Sequence, residues 1–168
     1  MVYIDIFNKN NIFNKGSIIG EIKDKSIYIS IKNDFEDIKQ FIEDIYKMVY
    51  KLKMEIRNIS IKEIYNILLY INSRADYIGY PIDRILFLIE KIPPNKNIEA
   101  FKQYLKWIKS EISDKLYYGI NEFIEYIRDE DEYGLDPFFK QDLIKFLNNF
   151  DGILEEIKNT LNKISQYL

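Results

Sequence analysis

The sequence predicts a mainly α protein of the α+β class: a bundle of about six helices with a small antiparallel β-sheet at its N-terminal end. Three observations predict it. Apolar and polar residues alternate just before residue 33, apolar residues recur every three or four positions after it, and caps and prolines punctuate the second part. At 168 residues the chain fits a single domain, with 1–32 as the β element and 33–168 as the bundle.

In the first part, Val2–Phe7 is β-branched and aromatic, and Asn8 to Lys15 is a mostly polar connection. Ser17–Ile22 then meets Ser26–Ile31 across Lys23-Asp24-Lys25. Ile27, Ile29 and Ile31 alternate with Ser26, Tyr28 and Ser30, the period of a half-buried strand. The period changes after residue 32. Asn33 is an expected N-cap, with Glu36 placed to reach back. Phe35, Ile38, Phe41, Ile42, Ile45, Val49 and Leu52 form one stripe behind it.

Ser60-x-x-Glu63 is a capping box that opens a second helix through about Ser73. Pro81 suits the first position of a third helix, and Pro93-Pro94 closes it. Ile98, Phe101, Leu105, Ile108, Ile112, Leu116, Ile120, Phe123 and Ile127 predict one long helix, or two broken near Gly119. Asp136-Pro137 starts another helix, and Asp151 to Leu168 forms the last.

Composition excludes whole classes of chemistry. The chain has no Cys and no His. Thiolate zinc sites, iron–sulfur clusters, thiol nucleophiles and imidazole acid–base catalysis are therefore absent. Glycines are scattered singly, without a phosphate-binding pattern. No cofactor is expected. The net charge of −3 argues against a general nucleic-acid binder. The longest apolar runs, such as Ile67–Ile71 and Ile85–Ile89, are far short of the ~20 residues a membrane span needs. Without a basic leader the chain reads as cytoplasmic. The wealth of Ile, Lys, Asn, Tyr and Phe, all with A/T-rich codons, points to an A/T-rich genome such as a phage or virus.

Charge is concentrated in one place. Between Asn121 and Asp136 stand seven acids, Glu122, Glu125, Asp129, Glu130, Asp131, Glu132 and Asp136, against the single base Arg128. A one-signed segment of this kind steers a basic partner. Tyr133 inside it, with Tyr77 and Tyr80 in the connection between the second and third helices, is suited to supply buried contact area.

Of two other patterns, the first fails and the second leaves a carboxylate-metal nuclease as a third, less favoured reading. Asp129-x-Asp131-x-Tyr133-Gly134 begins like a calcium loop, but Lys140 stands where the bidentate acid belongs. Asp5, Glu21 and Lys23 have the outline of a carboxylate-metal nuclease on a spacing common in any Glu/Lys-rich chain. The expected function is a non-enzymatic protein-binding module, an inhibitor or immunity-type factor. It would engage a basic protein through Glu125 to Asp136, with Tyr77 and Tyr80. The alternative is a self-assembling structural protein that pairs through the stripe from Ile98 to Ile127.

Overall fold

The computed structural model describes residues 24–130, 137–166 and 168. Every element among them is helical. Six α-helices follow in order: α1 (Lys25–Glu55), α2 (Ile61–Tyr77), α3 (Gly79–Ile89), α4 (Lys96–Ile108), α5 (Tyr117–Asp129) and α6 (Phe139–Ser165). A π-helical segment, Lys109–Leu116, joins α4 to α5 without a break.

The expected sheet is corrected at its one describable strand. Ser26–Ile31 is the first part of α1. Asp24 caps the helix, its carboxylate accepting from the Ser26 N–H at 2.9 Å and from the Ser26 hydroxyl at 2.6 Å. Asn33 lies mid-helix and caps nothing. Ile27 and Ile31 fit both periods, being four apart, but Ile29 decides between them. A strand would face Ile29 the same way as its neighbours, whereas it is 54% exposed. Ile31, Phe35, Ile38 and Ile42 instead make one continuous buried stripe. Packing of that stripe overrides the β preference of isoleucine. The other two expected strands, Val2–Phe7 and Ser17–Ile22, lie outside the described residues.

The Ser60 capping box is present, with the Glu63 N–H donating to Ser60 Oγ at 3.1 Å and the Ser60 N–H to Glu63 Oε2 at 3.4 Å. Asn95 caps α4 through Ile98. Pro81 has no N–H to offer the Tyr77 carbonyl, and α2 gives way to α3 at Ile78. The helix expected from Asp136-Pro137 begins at Phe139 and runs unbroken through Gly152, so the last two expected helices are one.

α1 is the hub and packs against α2, α3 and α6. Arg128, at the end of α5, meets Tyr65, near the start of α2. Ser113 of the π segment lies against Gly79, just past the end of α2. The α4–π–α5 rod therefore runs antiparallel to α2. Its stripe, Ile98, Phe101, Leu105, Ile108, Ile112, Leu116, Ile120 and Ile124, is buried among the chain's own helices. A dimer pairing through that stripe would have to open the core. No helix among the described residues is long and apolar enough to cross a membrane.

Candidate functional site

An open groove of about 610 Å³ lies between α1 and α3. Ser30, Asn33 and Asp34 line one side, and Tyr80, Arg84 and Phe87 the other. Its floor is an ion pair across the two helices. Arg84 Nε donates to Asp34 Oδ1 at 3.1 Å and to Oδ2 at 3.2 Å, and Nη2 donates to Oδ1 at 2.9 Å. The Asp34 side chain is 12% exposed and that of Arg84 56%. The hydrogen bonds that Arg84 donates to Asp34 hold the Arg84 pKa above its ordinary value.

One face of α2 and α3 carries rings into solvent. Tyr77 is 52% exposed, Tyr80 59% and Phe87 64%. The Tyr77 and Tyr80 rings lie 6.1 Å apart. Lys91 sits over the Phe87 ring at 4.5 Å. Tyr77, Tyr80, Arg84, Phe87 and Lys91 are spaced three and four residues apart, so they form one outward stripe. Ile78, Ile82, Ile85 and Ile89 occupy the opposite, buried side. Sequence reasoning found Tyr77 and Tyr80 but missed Arg84 and Phe87. The signal was available as this second periodic stripe, out of step with the core stripe.

Of the expected acidic residues, Glu125, Asp129 and Glu130 are exposed at the C-terminal end of α5. Asp131, Glu132, Tyr133 and Asp136 lie outside the described residues. Glu125 accepts from Asn121 Nδ2 at 3.2 Å. Arg128 donates from Nε to Tyr65 Oη at 2.8 Å, and that bond first, with the nearby charges of Glu125 and Asp129, raises its pKa. Acids at a helix C-terminus oppose the macrodipole, so this placement does not serve the helix. The acids and the tyrosine pair do not share a surface. They lie toward opposite ends of α2, and Tyr65 to Tyr77 alone spans about 18 Å of its axis.

A second, smaller cavity of about 220 Å³ opens between α5 and α6. Phe123, Tyr126 and Phe139 wall it, with Glu122 and Asp142 also lining it. Tyr126 stacks on Phe139 at 5.6 Å and 13°, and Phe123 meets Phe139 edge-on at 5.8 Å. Gly119 allows this packing, because a β-carbon there would overlap the Phe146 ring, which rests against Phe123. Phe123 was read as core stripe, and nothing local in the sequence joins it to Phe139.

Among the described residues no group of three or more acids is placed to hold a metal ion. Asp5, Glu21 and Lys23 lie outside them. Comparison with protein-family models, with curated proteins and with solved structures finds no match to this chain.

Proposed function

We propose that the chain is a non-enzymatic protein-binding module of the inhibitor or immunity type, acting in the cytoplasm. Its contact face is the stripe Tyr77, Tyr80, Arg84 and Phe87. One observation carries this. Three large rings, each more than half exposed, flank an arginine on one helical face beside an open groove. Tyr and Arg are the side chains that dominate interface energetics, and a contiguous exposed apolar patch is a mark of association. The Arg84 guanidinium is already oriented by Asp34, so little freedom is lost when a partner covers it. The acids at the end of α5 supply the steering field for a basic partner.

The test is affinity capture from the native host, comparing the wild type with a Tyr80→Ala/Phe87→Ala variant of unchanged helicity. The wild type should retain one stoichiometric basic protein, less of it as salt rises. The variant should bind that protein at least about 30-fold more weakly, as loss of a hot spot implies. Equal retention by both would remove the stripe from the interface. Recovery of the bait alone would favour self-assembly, which light scattering across a dilution series reads directly.

A further inference from the structure

The small cavity between α5 and α6 has a chemistry of its own. Its walls are aromatic, it carries a carboxylate from each helix, and its volume of about 220 Å³ is below the ~300–1,000 Å³ usual for a whole small ligand. That volume suits one side chain. Neither Glu122 nor Asp142 forms an ion pair with a cation among the described residues. The cations nearest in sequence are Lys140, Lys145 and Arg128, and Lys145, three residues from Asp142, forms no ion pair with it. Lys140 Nζ donates to the Ile59 carbonyl at 3.2 Å, and Arg128 rests on Tyr65. Glu125 and Asp129, exposed farther along α5, extend the negative field.

We propose that this cavity receives an arginine side chain from an extended basic segment of a protein partner. A cation is selected because the two carboxylates have no ion-pair partner among the described residues and aromatic faces attract cations. Arginine is selected over lysine because the guanidinium is flat, stacks on rings, sheds water more readily and can fork to carboxylates. The inference rests on the protein-binding reading only for the source of the arginine. It uses a different face from the Tyr80–Phe87 stripe, and its test needs no native partner.

The experiment is an NMR titration of the full chain with three short blocked peptides, identical except for a central arginine, lysine or citrulline. The arginine peptide should shift the amides of Phe123, Tyr126, Phe139 and Asp142 together. It should bind at least about fivefold more tightly than the lysine peptide, with no saturable shift from citrulline. Asp142→Asn, at an exposed position, should weaken the arginine peptide by about tenfold. Glu155→Gln, an equal charge change elsewhere on α6, should leave it unaltered. Equal affinity for arginine and lysine would overturn the proposal in favour of a general acidic field. So would equal weakening by the two variants, or no shift at the rings. Any of these results would leave the aromatic stripe standing, because Tyr80 and Phe87 take no part in the measurement.

Discussion

Asp34 and Arg84 show how unequal the two members of one ion pair can be. Asp34 is largely withdrawn from water, while more than half of the Arg84 side chain remains in it. Removing the arginine strands a buried carboxylate, and removing the acid frees a cation that can turn to solvent. Arg84→Ala should therefore cost on the order of 3 kcal/mol in urea unfolding. Asp34→Asn should cost about 1 kcal/mol, since a polar group still faces the guanidinium. Equal losses would mean that the pair acts as an ordinary surface bridge. Asp34 was partly legible: it stands three residues after Ile31, on the buried side of α1. Taking residues 26–31 as a strand cut that stripe short and hid the acid's position. Its partner, 50 positions away, has no local signature. Phe87 was hidden differently: the unbroken apolar run from Ile85 to Ile89 masks it locally, and only its spacing from Tyr80 and Arg84 marks it as the member that faces out.

Among the elements, the π segment was written in the sequence more plainly than the first helix. Ile108, Ile112, Leu116 and Ile120 are all fully buried and follow one another at three successive steps of four. In an α-helix each such step overshoots a turn by about 40°, so the stripe would drift about 120° off the core. A π-helix winds more slowly and keeps all four facing in. The segment thus holds about one residue more than α geometry requires. Deleting the exposed Asp114 converts the spacing to four-three-four, an ordinary α pattern. That deletion should leave a cooperative thermal transition within a few degrees of wild type. Deleting the exposed Lys106 from α4 should abolish cooperative unfolding, because everything beyond it rotates by about 100°. Comparable damage from both deletions would show that the π winding is imposed by its neighbours and not by residue count. The start of α1 was less legible because Ile27 and Ile31 satisfy two periods at once. Only the exposure of Ile29, a consequence of tertiary packing, separates them.

The molecule as a whole is organised around α1, and its two surface features of interest lie far apart on that frame. Composition alone removed the imidazole and thiol chemistries, and periodicity placed most of the helices. Neither could place the acidic end of α5 and the tyrosine pair toward opposite ends of α2, because that follows from the antiparallel return of the α4–π–α5 rod. The long side chains that tie α6 to its surroundings were equally invisible. Lys53 pairs with Asp151, Lys158 with Glu43 at 3.5 Å, and Tyr104 donates to the Ile157 carbonyl at 3.5 Å. The backbone of α6 runs close to α1, and its contacts with α5 are made through rings. α6 therefore has one closely packed neighbour where α1 has three, so it is expected to open as one piece before α1 does. Native-state hydrogen exchange should accordingly find the α6 amides opening together, at lower free energy than those of α1, and matching rates in both would mean a single cooperative unit. Since Glu122 and Asp142 stand on opposite sides of that seam, a guanidinium seated between them would lock the opening as well as hold a partner, and protection along α6 would rise with occupancy.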